Sequence, residues 1–455
     1  MDTFGNAQPT IIPLELTENQ FQIYNKISRN YSHSFLFESL TGPEELAETS
    51  VMGFDPKIIF KGYKDRVEII TGKDREETKT IKTTDPFAEL NKLLEEKRSK
   101  DQKYRYLGGA VGIVNYDSIR LVENIPDSHS FPEPLMEFGI YDDGIIYDNL
   151  HKKLFYFFYD ENRFEKLKID KDDKFENFTA TEAVANLDQK KFSEIVNKAK
   201  KYIHDGDIFQ VVLSRKFSFE TTGDNLTLYK TLRKLNPSPY MYHLKQNDTT
   251  TIGASPEMLV RITNDKVETF PIAGTRKITE DEDKNKQLAE ELLHDEKELA
   301  EHTMLVDLGR NDIGRVCRYG TVHPESLMKI KRFSHVQHIV THVVGNMAEQ
   351  YDMFDAFKAV FPAGTVSGAP KVRAMEIIDE LEPESRGQYA GAVGYFSFNG
   401  CCDFAIAIRS IFINGNKGFV QSGAGIVSDS VSEYEFKETE HKAGAMLQSL
   451  KEAAN

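Results

Sequence analysis

The chain has 455 residues, enough to bury a large core as one large domain or two moderate ones. Its formal net charge of -15 excludes a general polyanion binder, because nucleic-acid affinity is built mainly from Lys and Arg contacts to phosphates. The apolar runs fall far short of the ~20 residues a membrane-spanning helix needs, and Met1-Asp2-Thr3-Phe4-Gly5-Asn6 has no leader character, so a cytoplasmic protein is expected.

In chain order, the pattern is mixed at first. It predicts a helix near 19–27, a strand at 34–38, alternating strands around 67–79, a helix over 87–97 and strands from 107 to 159. Residues 160–186 are charge-rich and weakly periodic, which divides the chain into portions 1–185 and 186–455. The second portion opens with a helix over 189–204 and a strand over 208–215. A helix at 226–235, strands through 241–270, one long helix from about 280 to 306 and helices at 353–360 and 372–381 follow. Strands at 389–398, 404–413 and 418–423 precede a last helix. Strands that come in groups between helices, without strict alternation, predict an α+β fold. The three cysteines, Cys317, Cys401 and Cys402, are too few and too clustered for a disulfide framework or a zinc site.

Two Glu-x-x-Glu pairs, Glu298/Glu301 and Glu435/Glu438, lie in the helical stretches. Residues three apart share a helix face, with Cβ atoms about 5–6 Å apart. Two distant segments can therefore bring four carboxylates to one hard cation, and Mg²⁺, which prefers oxygen ligands and bridges to anionic substrates, suits them best. The plain alternative is a solvated helix face, where the same spacing is common. What favours the first pair is the apolar, glycine-punctuated stretch from Met304 to Val316. It places Glu301 at the border of buried surface, where an unpaired charge is costly.

Two glycine-rich segments invite a nucleotide reading and do not support it. Gly364-Thr365-Val366-Ser367-Gly368-Ala369-Pro370-Lys371 lacks phosphate-loop spacing, and Pro370 removes a backbone donor. Gly423-Ala424-Gly425-Ile426-Val427-Ser428 lacks the third glycine of a dinucleotide fingerprint. Both offer close backbone approach and free N–H groups, which suit a carboxylate.

Together with Ala254-Ser255-Pro256-Glu257, Pro271-Ile272-Ala273-Gly274-Thr275-Arg276, Glu298 through Asp312, Ser334-His335-Val336-Gln337-His338 and Arg386-Gly387-Gln388-Tyr389-Ala390-Gly391, these segments resemble the chorismate-utilising enzymes. The resemblance covers the second portion in order and the first only weakly. It implies a four-layer α/β/β/α core with two large, mostly antiparallel, orthogonally packed sheets, and a smaller N-terminal regulatory portion. It also implies that Glu301 and Glu438 ligate Mg²⁺, with Glu298 and Glu435 direct or water-mediated partners, and that the metal holds the ring carboxylate of chorismate. Tyr389, Arg409 and the backbone at Gly423 and Gly425 would grip the second carboxylate, with Gly274, Thr275 and Thr365 lining the pocket. Glu257 occupies the position of the general acid for the departing C4 hydroxyl, in an apolar setting that raises a carboxyl pKa. His338 is the family's candidate for removing the ring proton in the elimination step. Without their motifs, each of these residues reads as packing or surface.

Two positions separate sister activities within the family. Water-adding relatives carry Lys where this chain has Gln210, and an amide cannot deprotonate water, so the site suits an amine nucleophile. Relatives that aminate C4 typically carry a nucleophilic Lys where this chain has Ala273. Together they select ammonia addition at C2 and loss of pyruvate to give anthranilate. C4 amination, or a non-catalytic amino-acid sensor, is the alternative.

The chain lacks a Gly-x-Cys-x-Gly elbow, so a separate glutamine amidotransferase subunit is expected to supply ammonia in a hetero-oligomer. Phe35-Leu36-Phe37-Glu38-Ser39 and Asn236-Pro237-Ser238-Pro239-Tyr240-Met241 are similar to the family's feedback tryptophan site. That resemblance implies Glu38, Ser39, Pro239, Tyr240 and Met241 as its walls, with Phe35 and Phe37 departing from the usual leucines.

Overall fold

The computed structural model describes residues 7–15, 18–42, 48–72, 75–167, 169, 175–333 and 336–454. Ser334 and His335 of the histidine motif lie outside the described residues.

Strands that are apolar on both faces, such as Gly109–Val114, become the interior of two large sheets, as a strand covered on both sides must. The first sheet runs in the order Thr10–Leu14, Lys153–Phe158, Asp143–Asp148, Thr49–Phe54, His33–Glu38, Tyr240–Gln246, Thr249–Ser255, Ser410–Asn414, Lys417–Ile426, Gln210–Gly223, Phe178–Ala180. The second runs Ile272–Lys277, Val336–Asn346, Lys266–Thr269, Met258–Thr263, Cys402–Ile406, Ala392–Ser397, Gly109–Val114, Met136–Tyr141, Ile58–Gly62, Arg66–Thr71, Glu77–Lys82. Facing side chains of the two sheets make one core. Phe35 of the first packs edge-on against Tyr141 of the second, with ring centroids 4.9 Å apart. Helices cover the outer faces: Gln20–Ser28, Asn225–Leu235 and Ser432–Ala453 over the first sheet, and Glu296–Gly314 and Met353–Val360 over the second. This is the expected α+β architecture.

Both sheets draw strands from both portions of the chain. His33–Glu38 pairs with Tyr240–Gln246, and Gly109–Val114 pairs with Ala392–Ser397, across the division expected at 185/186.

Three local expectations are corrected. The long helix near 280–306 is two helices, Glu282–His294 and Glu296–Gly314, because Asp295 leaves helical geometry and its carboxylate caps the N–H groups of Lys297 and Glu298. The strand over 404–413 is two strands in different sheets, Cys402–Ile406 and Ser410–Asn414, with Arg409 at φ +52° between them. The strand near 208–215 extends to Gly223. The hairpin of His323–Arg332 and Val336–Asn346 was not foreseen, since the first strand has one exposed and one only partly buried face and its apolar residues, Leu327, Met328 and Ile330, do not alternate with polar ones.

Candidate active site

The site forms where the chain changes sheets. Thr249–Ser255 leaves the first sheet and Met258–Thr263 enters the second, with Glu257 at the crossing. Cys402–Ile406 and Ser410–Asn414 make the reverse crossing beside it, through Arg409. Backbone hydrogen bonds tie the two together: Ile406 N–H donates to Glu257 O at 3.1 Å and Ala254 N–H to Arg409 O at 3.1 Å. A carboxyl and a guanidinium are thus anchored on adjacent rigid turns.

Burial pushes the Glu257 carboxyl up to about 7, only partly offset by the neighbouring Thr365 hydroxyl and the charge of Lys442. It therefore holds a proton near neutrality. Burial also lowers the pKa of the Arg409 guanidinium, and among the described residues no carboxylate stands within ion-pairing distance of it. An enclosed cation of this kind is suited to an anionic ligand. The charge of Glu438 reaches it.

The glycines of strand Lys417–Ile426 make room for the neighbouring side chains. A Cβ on Gly425 would stand 2.7 Å from Gln210 Nε2, and one on Gly423 would stand 2.9 Å from the Tyr389 hydroxyl. Gln210 itself donates through Nε2 to Glu301 Oε1 at 3.2 Å, and its Oε1 is buried without a donor.

Gly274, at φ +65°, turns its carbonyl toward His338, whose Nδ1 lies 2.7 Å from that oxygen and 3.2 Å from Thr275 Oγ1. A carbonyl can only accept, so Nδ1 carries the hydrogen and Nε2 is left with a lone pair. Burial and the charge of Arg409 lower the His338 pKa against the opposing Gly274 bond, which favours the neutral ring. His342, by contrast, is held between Glu268 at 2.9 Å and Glu325 at 3.0 Å, an ion-pair arrangement.

The four glutamates lie in the opening turns of two helices, Glu298 and Glu301 in Glu296–Gly314 and Glu435 and Glu438 in Ser432–Ala453. The positive ends of those helices favour Glu298 and Glu435, which lie in the first turns. Burial raises the Glu301 pKa first, and Glu298 and Glu438 add to it, so the pairs from the two helices share one field. Burial and Glu438 likewise raise Glu435. An all-carboxylate donor set fits a hard divalent cation. Among the described residues no three ligand-type side chains come close enough to enclose one, and two of the glutamates have cationic partners. Arg276 lies 3.1 Å from Glu298, and Lys442 lies 2.6 Å from Glu438. Lys442 was missed in the sequence; its position one turn after Glu438 was the available signal.

Lys371, from the glycine-rich segment, is buried against Asp312 at 2.7 Å and the Val360 carbonyl at 2.9 Å. It has no reach to a phosphate.

A second cavity opens between the sheets, lined by Phe37, Ser39, Pro239, Tyr240, Met241 and the buried ion pair of Arg261 with Asp403. Ser39 Oγ is buried there without a partner among the described residues. Glu38 reaches this wall, but its carboxylate is spent elsewhere, on Tyr229 at 2.7 Å, Arg233 at 2.6 Å and Gln20 at 3.3 Å.

The sequence pattern of the chorismate binding enzymes matches residues 14–448. The chain is 44% identical over 436 residues to anthranilate synthase component 1 of Methanothermobacter marburgensis, covering 95% of this chain and 93% of that one. It is 40% identical over 449 residues to aminodeoxychorismate synthase component 1 of Bacillus subtilis, covering 94% of each. Among solved structures it is similar to anthranilate synthase component I from Streptococcus pneumoniae, with TM-score 0.78, 37% identity and coverage of 88% of this chain and 92% of that one.

Proposed function

This chain belongs to the chorismate-binding enzyme family, and we propose that its site aminates chorismate at C2 and expels pyruvate, as the large subunit of an anthranilate synthase. The observation that carries this reading is a pairing: Glu257, a carboxyl that keeps its proton near neutral pH, shares a site with Gln210, an amide that cannot take one. The first can release a hydroxyl as water. The second leaves water unactivated and can accept an N–H through its buried Oε1.

In the first step ammonia adds at C2, the ring double bonds shift, and the C4 oxygen leaves with the proton of Glu257. Arg409 and the Tyr389 hydroxyl hold the enolpyruvyl carboxylate, with the backbone at Gly423 and Gly425 beside them. In the second step the Nε2 lone pair of His338 takes the proton from C2, the C3–O bond breaks as the ring becomes aromatic, and the departing enolpyruvate takes a proton at its methylene carbon to become pyruvate. Glu301 and Glu438 are assigned as Mg²⁺ ligands, with Glu298 and Glu435 beside them. The metal would supply the positive charge that holds the ring carboxylate. Thr275 lines the pocket and braces His338, and Thr365 lines it beside Glu257.

Ammonia comes from a glutamine amidotransferase partner, and free ammonium substitutes for it. The cavity at Ser39, Pro239, Tyr240 and Met241 is read as a feedback tryptophan pocket, with residues 1–185 the regulatory portion and 186–455 the catalytic one. Among the described residues no helix is long and apolar enough to cross a membrane.

Purified chain incubated with chorismate, Mg²⁺ and ammonium is expected to form fluorescent anthranilate; its absence overturns the reading. The similarity to the Bacillus subtilis protein favours a second reading, C4 amination, for which Ala273 lacks the amine. That reading predicts aminodeoxychorismate in the same assay.

A further inference from the structure

Two of the chain's own cations already hold half of the glutamate set. Lys442 Nζ lies 2.6 Å from Glu438 Oε1 and donates to the Gly423 carbonyl at 3.0 Å. Arg276 Nη1 lies 3.1 Å from Glu298 Oε1, while its Nη2 lies 2.9 Å from Asp295, the cap of the same helix. The two cations come from different elements, a helix and the strand Ile272–Lys277. The field of Lys442 also reaches Glu257, Glu301 and Glu435, so that its ammonium acts on every acidic group of the site except Glu298.

A divalent cation that takes Glu438 and Glu298 as ligands has to share their charge with these partners. Each carboxylate keeps its second oxygen for a metal, but its charge is already partly balanced, and a second positive charge close by opposes the metal. We propose that Lys442 and Arg276 are resident counter-cations that compete with Mg²⁺ for the glutamates, so that the chain alone binds metal weakly and an anionic substrate that engages Lys442 strengthens metal binding. The proposal rests on the metal-site assignment above. Coupling of this kind is reciprocal, so the metal raises substrate affinity by the same factor. Both pairs are partly exposed, with side-chain exposures of 36% and 44% for Lys442 and Glu438 and 25% and 24% for Arg276 and Glu298. Each competition should therefore be modest, about two- to fivefold in affinity, in line with partly solvated ion pairs.

The test is titration of the full chain with Mn²⁺, read as loss of the free-ion EPR signal, with thermal melting to confirm that each variant is folded. Lys442→Met, Lys442→Gln and Arg276→Gln are expected to bind Mn²⁺ about two- to fivefold more tightly than the wild type. Lys437→Gln, which removes an exposed charge from the same helix, should match the wild type. Chorismate added without ammonium should tighten Mn²⁺ binding by a larger factor in the wild type than in Lys442→Met. If Glu301→Gln binds Mn²⁺ as well as the wild type does, the metal-site assignment fails. If Glu301→Gln loses binding but the Lys442 and Arg276 variants bind no tighter than the wild type, or Lys437→Gln tightens equally, the site stands and the competition is refuted.

Discussion

Gln210 donates to Glu301 across 3.2 Å, and this bond fixes the amide so that its Oε1 remains a buried acceptor without a donor. One contact thereby links the proposed metal ligand to the group that would receive the nucleophile. Gly425 leaves the room that the amide occupies, since a Cβ there would stand 2.7 Å from Gln210 Nε2.

Replacing Gln210 by Leu keeps the bulk and removes the acceptor. The KM for ammonium should rise about tenfold, the size of one lost hydrogen bond, while the KM for chorismate changes much less. Steady-state kinetics with ammonium as the varied substrate checks this, and equal effects on both constants would contradict it.

Glu257 must be protonated to act, so kcat should fall as pH rises through about 7. Glu257→Gln should lose about 10²- to 10⁴-fold in kcat, and its residual rate should lack that limb. The sign for stability follows from a folded pKa raised above the unfolded value of 4.5. The folded chain is unpenalised below pH 4.5 and loses stability as pH rises through about 7, by up to about 3 kcal/mol. Glu257→Gln should therefore gain stability over the wild type at pH 8, with the gap closing on acidification. Urea denaturation at pH 8 and pH 5 measures it.

His338→Asn keeps a donor to the Gly274 carbonyl but removes the basic Nε2. Chorismate consumption should continue while anthranilate formation slows at least about 10²-fold. Chromatography should then show the aminated intermediate, and loss of both steps together would argue for a structural role.

Glu301→Gln should abolish nearly all Mg²⁺-dependent turnover in a chain that melts at or above the wild-type temperature, because it removes a carboxylate whose burial is unfavourable. Retained activity at saturating Mg²⁺ would refute its role as ligand.

The cavity between the sheets offers a separate readout. Ser39→Phe fills the space beside Pro239 and Met241, and should relieve tryptophan inhibition with little effect on the KM for chorismate. Unchanged inhibition would place the effector elsewhere.

Local chemistry was legible in the sequence. Gln189–His204 and Met353–Val360 match their periodicity, since each is a single amphipathic helix with an aspartate at its N-cap. The Glu-x-x-Glu pairs were legible because residue type and short spacing constrain chemistry directly, while Glu257 was picked out only through its family motif. Glu38 shows the limit: its motif placed it on the cavity wall, while packing turned its carboxylate toward Tyr229 and Arg233.

By itself the sequence determined which groups could do the chemistry: an acid at Glu257, an amide rather than an amine at Gln210, and two carboxylate pairs at helical spacing. Only the tertiary structure decided how they meet. Periodicity reports a strand but not its sheet, so the paired crossings that anchor Glu257 and Arg409 could not be read from it. Nor could the break at Asp295, where a side-chain cap overrides a continuous helical pattern, or the contacts of Lys442 and Arg276. Whether a carboxylate faces solvent, a metal or a lysine depends on charges from distant segments, and their distances are set only when the sheets close over one another.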